Sequence, residues 1–139
     1  MLSILPRRER LSILTVEDDP DTAQNLAWWL RSEGHEVDIA PDGPAALRSA
    51  QVQQPDVVLL DIGLPGMSGY DLARHLYQHR GAKRPLLIAI TGQAGATDRQ
   101  QSEEAGIDLH LVKPVDPGQL QKLLRRFERI ILPLPPEGD

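Results

Sequence analysis

The 139-residue chain has no cysteine, which excludes disulfides, thiolate metal sites and a cysteine nucleophile. It has no apolar run of membrane-spanning length. The N-terminal stretch "MLSILPRRERL" offers four apolar residues among its first five and then turns basic, too short for the apolar region of a signal peptide. An excess of basic charge is also missing. At a net charge of −5 the chain is a poor candidate for nucleic acid as its main partner, because phosphate binding needs a basic face. There is no repeat either, beyond the isolated echo of "LSIL" at 2–5 and 11–14. What remains is a globular composition, 40% apolar and 25% charged, long enough for one domain with one proper core. Freedom from thiols fits the cytoplasm.

What is present alternates. Leu11 to Val16 is apolar and β-rich, and "EDDP" ends it. Pro20 suits a first helical turn, and Ala23, Leu26, Ala27 and Leu30 recur at helical spacing until Gly34. Residues 35–40 alternate as a strand, 42–53 read as a helix, and 57–62 as a strand apolar on both faces. A helix over about 68–78 follows, then the strand "LLIAIT" at 86–91. Residues 96–105 can form a helix whose only apolar side chains are Ala96 and Ala105, so it is expected to be weakly anchored. Gly106 stops it, 108–112 alternate as a strand, and Leu120, Leu123, Leu124, Phe127, Ile130 and Ile131 stripe a last helix. The tail "PLPPEGD" cannot continue that helix.

Five strand–helix alternations imply an α/β fold, a parallel sheet with helices on both faces. The continuously apolar segments 57–62 and 86–91 suit interior strands, whereas 35–40 and 108–112 have the texture of edges. This favours a flavodoxin-like doubly wound (βα)5 sheet of order 2-1-3-4-5, whose functional crevice lies beyond the carboxyl ends of the central strands. The residues that close the strands are Glu17, Asp18 and Asp19, then Asp61, Thr91 and Lys113. Asp61 follows four large apolar residues and precedes a Gly- and Pro-rich turn, which places a carboxylate at a strand tip where it needs partners. Clustered carboxylates without a His pair suit a hard cation such as Mg²⁺. With a lysine charge and a hydroxyl beside them, they form equipment for phosphoryl transfer to a carboxylate.

Four linked motifs, "ILTVEDDPD", "VVLLDIGLPGMSG", "IAITG" and "HLVKP", stand in order on these strands. Over about residues 10–132 the chain resembles the receiver domain of two-component response regulators, the chemotaxis-regulator-like family. The resemblance implies that Asp61 is the phosphoacceptor, phosphorylated from a phosphohistidine on a histidine kinase or histidine phosphotransfer protein. It implies Mg²⁺ (or Mn²⁺) held by Glu17, Asp18, Asp61 and the backbone carbonyl of Gly63. It further implies that Thr91 and Lys113 stabilise the phosphoryl group and that Lys113–Pro114 is a cis bond. Thr91 would couple the site to a surface spanning 96–131 for a downstream protein target or a homodimer through the fourth helix, fifth strand and fifth helix. Two positions depart from the commoner pattern: His110 stands where the family's switch aromatic falls, and Glu stands at 17 in place of Asp. Gly63 and Gln93 occupy the variable flanking positions that bear on phosphate lifetime.

Plainer readings exist for single residues. Asp61 could cap the following turn, and Glu17 to Asp19 could form an N-cap cluster. Trp28 and Trp29 are adjacent, so one helix face cannot bury both; Trp29 is expected at the core edge and Trp28 outward. Trp28 is then either a scattered exposed apolar residue or a partner anchor. Lys122, Arg125, Arg126 and Arg129 read by default as a solvated flank, with a dimer contact as the alternative. His35, His75 and His79 are expected at the surface. The expected organisation is an N-terminal extension at 1–9, a receiver at 10–132 and a Pro-rich tail at 133–139, standing alone without an output domain. Such a chain is a phosphoacceptor that promotes its own phosphorylation and dephosphorylation, not an enzyme. Alternatives are a phosphorylation-independent interaction module or a receiver fragment of a hybrid histidine kinase. A phosphatase resembling the haloacid dehalogenases is rejected, because it needs an Asp where Gly63 stands.

Overall fold

The computed structural model describes residues 10–78, 84–92 and 99–131. In chain order the elements are β1 (Ser12–Val16), α1 (Pro20–Ser32), β2 (Glu36–Ala40), α2 (Gly43–Gln53), β3 (Val57–Asp61), α3 (Gly69–Gln78), β4 (Leu86–Thr91), α4 (Arg99–Ala105), β5 (Leu109–Val112) and α5 (Pro117–Ile131). The strands pair in parallel in the order β2-β1-β3-β4-β5, as the strand textures predicted. β3 is buried along its whole length and β5 only in part, which is the contrast between an interior and an edge strand.

The pleat sends alternate residues to opposite faces and so builds two cores. Leu14, Val16, Val58, Leu60, Leu87 and Ala89 face Ala46, Leu72, Leu76 and Ala105 of α2, α3 and α4. Ile13, Val57, Leu59, Ile88 and Leu111 face Ala27, Leu30, Leu120 and Leu124 of α1 and α5. Leu59 and Leu60 are fully buried on opposite sides, and each such burial contributes about 2 kcal/mol. This rigid central strand carries Asp61 at its tip.

Helix starts follow local chemistry. The Asp19 carboxylate accepts from the Thr22 N–H at 3.1 Å and Pro20 opens α1. Asp42 caps α2 through the Ala45 N–H at 2.9 Å, and the Ser68 hydroxyl accepts from the Asp71 N–H at 3.1 Å above α3. Gly106 ends α4 with a positive φ of 85°, as expected of a helix-stop glycine. Ser102 and Ala105 are the buried anchors of α4, so a buried hydroxyl adds to the sparse apolar anchoring expected of that helix. Position 96, the expected start of α4, lies outside the described residues, as do Gln93, His79, the extension at 1–9 and the tail at 133–139.

Two expectations need correction. Ile130, assigned to the apolar stripe of α5, is 73% exposed, because at helical spacing it falls at the margin of the face centred on the buried Leu120 and Leu124. His35 is buried, not at the surface. It follows the turn at Gly34 and lies under α5, where its Nδ1 accepts from the Leu11 N–H at 3.2 Å and its Nε2 lies 4.0 Å from Glu128. Burial lowers its pKa, offset in part by Glu128 and Glu33.

Candidate functional site

A parallel sheet delivers all its carboxyl ends to one edge, and that edge gathers the strand-closing residues. Asp61 is the last residue of β3 and is 6% exposed. Glu17 directly follows β1; its N–H donates to the Ala40 carbonyl at 3.0 Å, so its side chain starts from a fixed backbone. Thr91 ends β4 and is buried, and its carbonyl accepts from the Lys113 N–H at 2.7 Å, fixing the first residue after β5. The Lys113–Pro114 bond is cis.

From these mounts the side chains converge. Lys113 Nζ lies 3.0 Å from Asp61 Oδ2 and 3.4 Å from Glu17 Oε1. Carboxylate oxygens of Glu17, Asp18 and Asp61 all lie within 4.8 Å of one another. The plain reading of Asp61 is also correct as far as it goes, since its Oδ1 accepts from the Gly63 N–H at 2.9 Å. One carboxylate thus caps the turn with one oxygen and meets the lysine with the other.

The charges act on one another. Burial pushes the Glu17 carboxyl up, the Asp19 N–H and Lys113 pull it down, and the neighbouring Asp61 charge adds to the rise. For Lys113, burial disfavours the ammonium, but the hydrogen bond and charge of Asp61, with Glu17 behind them, outweigh it and hold the pKa above the ordinary lysine value. Three oxygen ligands in a cluster with surplus negative charge fit a hard divalent cation.

The remaining expected residues are less central. Asp19 turns away to cap α1, so the N-cap reading holds for it. Glu17 and Asp18 instead reach toward Asp61. His110 and Thr91 lie on the same sheet face by strand register, since His110 pairs with Ala89 and Val112 with Thr91. The ring of His110 is exposed, with Nε2 3.0 Å from the buried Ser102 hydroxyl on α4. Trp28 is 71% exposed, as expected. It is Trp29, however, that lines a groove of about 510 Å³ between α1 and the start of α5, together with Leu26, Val115, Glu17 and Lys113. Sequence reasoning missed this because the choice depends on α5, which arrives beside α1 from the far end of the chain.

The sequence profile of the response regulator receiver domain family matches residues 13–125. A 14.6 kDa protein of Leptolyngbya boryana is 33% identical over 93% of this chain and 96% of its own length. The DNA-binding response regulator MtrA of Mycolicibacterium smegmatis is 36% identical over 84% of this chain. The chain spans only about half of MtrA, 50% of its length, and a similar share of several other curated relatives. Among solved structures, the receiver domain of the sensor histidine kinase PA1611 from Pseudomonas aeruginosa, with magnesium coordinated in its active-site cleft, is 36% identical. It aligns with a TM-score of 0.76 over 85% of this chain and 97% of that one. Fold, strand-end chemistry and these likenesses agree, and the chain belongs to the response regulator receiver domains of two-component signalling.

Proposed function

We propose that Asp61 accepts a phosphoryl group from a phosphohistidine on a histidine kinase or histidine phosphotransfer protein. The observation that carries this is the contact of Asp61 Oδ2 with Lys113 Nζ at 3.0 Å inside the three-carboxylate cluster. In the transfer, an Asp61 oxygen bonds to phosphorus as the phosphorus–nitrogen bond to the donor imidazole breaks. The bonding pair stays on that nitrogen, leaving a neutral imidazole and an acyl phosphate. Lys113, already balanced between two carboxylates, is placed to follow a phosphoryl oxygen, and the Thr91 hydroxyl to take another. Glu17, Asp18, Asp61 and the Gly63 carbonyl would hold Mg²⁺ (or Mn²⁺), which when bound offsets charge on the transferring group.

In this reading the protein is a phosphoacceptor that aids its own phosphorylation and dephosphorylation, not a turnover enzyme, and it works in the cytoplasm. No helix among the described residues is long and apolar enough to cross a membrane. Thr91 and His110 would pass the change to the 96–131 surface, toward a downstream protein or a homodimer through α4, β5 and α5. Trp28 serves as a partner contact only if the donor reaches beyond the groove lined by Trp29. A second reading, that these residues are the receiver of a hybrid histidine kinase, is in keeping with the 36% identity to a sensor-kinase receiver, which equals the identity to the response regulator MtrA.

The test is incubation with Mg²⁺ and acetyl phosphate, followed by intact mass. One phosphoryl adduct is expected in the parent, absent from Asp61→Asn and suppressed by EDTA. An adduct that persists in Asp61→Asn refutes the assignment.

A further inference from the structure

None of the residues so far placed at the site lies on α2, yet the first residue of α2 touches the loop that carries part of it. Gly43 is buried, and a Cβ built on it would stand 2.7 Å from the Met67 Sδ and 3.1 Å from the Met67 Cβ. Its φ is not in the left-handed region, so it is crowding by Met67, not backbone conformation, that opposes a side chain there. Met67 belongs to the 62–68 connection between β3 and α3, the segment that follows Asp61 and contains Gly63.

Besides the Gly63 N–H bond to Asp61 at 2.9 Å, the Ile62 N–H bond to the Ile90 carbonyl at 3.1 Å and the Ser68 cap of α3, that connection is held by close packing at three places. At its base, Gly69 lies so close to Ile62 that a Cβ would be 2.7 Å from the Ile62 Cα, and the Gly69 N–H donates to the Ile62 carbonyl at 3.4 Å. Leu64 is buried in the core beneath α2 and α3. The third hold is Met67 resting on the bare backbone of Gly43. Between the last two lies Gly66 with φ of 83° and open space around it, the point where the loop can swing if a hold is lost.

We propose that Gly43 is a positioning residue for the metal and phosphoryl site: its missing side chain seats Met67, and that seat sets where the 62–68 loop holds the Gly63 carbonyl. The inference rests on the functional reading above. Rotating the Met67 side chain removes the Sδ contact but not the one at Cβ, so an added methyl at position 43 must displace backbone by a few tenths of an ångström. The helix resists, being capped by Asp42 and anchored by the fully buried Ala46, so the loop gives. Oxygen–metal distances tolerate only about 0.2 Å, which makes a displacement of that size consequential.

The experiment compares the parent with Gly43→Ala, Met67→Ala and the double variant, measuring Mg²⁺ affinity by calorimetry and the thermal midpoint separately. Gly43→Ala is expected to weaken Mg²⁺ binding about 10-fold, the scale on which supporting residues act at metal sites. Met67→Ala should weaken it less. The double variant should bind no better than Gly43→Ala, because truncation at 67 keeps the Cβ and with it the 3.1 Å contact that rotation cannot relieve. A Gly43→Ala protein with a lowered midpoint but parental Mg²⁺ affinity overturns the inference, as does a double variant restored to parental affinity, which would mean that no backbone is displaced. If Gly43→Ala does not fold, parental affinity in Met67→Ala overturns it equally. A parent that binds no Mg²⁺ defeats the functional reading and this inference together; a binding parent with equally binding variants defeats this inference alone.

Discussion

Lys113 occupies a position from which it should both help phosphorylation and hinder the metal. Its ammonium sits 3.0 Å from Asp61 Oδ2 and 3.4 Å from Glu17 Oε1, two of the three carboxylates that would hold the ion. A divalent cation entering that cluster meets a resident positive charge on a length scale no larger than the cluster's own 4.8 Å span. With the lysine side chain 36% exposed, a water-like dielectric is the appropriate limit. Coulomb repulsion between charges of +2 and +1 at that distance is then about 1.7 kcal/mol, which salt reduces further. Substituting Lys113→Met keeps the length and apolar stem of the side chain while removing the charge. The expected outcome is Mg²⁺ binding tighter by about 10-fold at low salt, shrinking as salt is raised.

The same variant should accumulate less acyl phosphate from acetyl phosphate, since the charge that follows the phosphoryl oxygen is gone. Affinity for the metal and capacity for the phosphoryl group therefore move in opposite directions. Calorimetric titration with Mg²⁺ beside intact-mass labelling reads both. Unchanged or weaker Mg²⁺ binding would refute the reasoning: it would mean that Lys113 acts chiefly by holding the carboxylates in a binding arrangement, with its charge already screened.

Two further outcomes concern stability. His35 has its pKa lowered by burial, and its Nδ1 cannot bind a proton while accepting from the Leu11 N–H. The folded state therefore takes up this proton at lower pH than the unfolded chain. Its contribution is intact above the unfolded value near 6.5, declines as pH falls toward the folded value, and is level below it. One proton limits the slope to about 1.4 kcal/mol per pH unit. In urea titrations His35→Gln, which keeps an acceptor, should lose that portion of the slope; parallel curves for parent and variant would remove His35 as its source. Gly106→Ala should cost about 2 kcal/mol or more, since φ is 85° and the new Cβ would fall 2.2 Å from Tyr77 Cδ2. Adding Tyr77→Ala should recover the steric share and leave the backbone share, and a Gly106→Ala protein as stable as the parent would refute both.

How much was legible in the sequence depended on how local the deciding contact is. In a parallel sheet every strand ends at the same edge, so naming the last residue of each strand was enough to bring Asp61, Thr91 and Lys113 together without knowing a single distance. The run Glu17-Asp18-Asp19 shows where that reasoning loses resolution. Three neighbouring carboxylates cannot all turn one way, and the sorting is done by Thr22, whose hydroxyl and N–H draw Asp19 into the cap of α1. Pro20 and Thr22 were readable as cap chemistry, so that division was within reach. His35 was not, because a lone histidine after a turn glycine acquires its burial from the backbone of Leu11 and from Glu128, which is far along the chain on α5. The groove that selects Trp29 over Trp28 has the same origin. Gly43 and Met67 combine both cases. Each has a local role, one opening a helix and the other ending a loop, while their contact exists only because α2 and α3 pack on the same face of the sheet. Local chemistry thus specifies what each strand end can do, and packing between distant helices decides how firmly its loops are held.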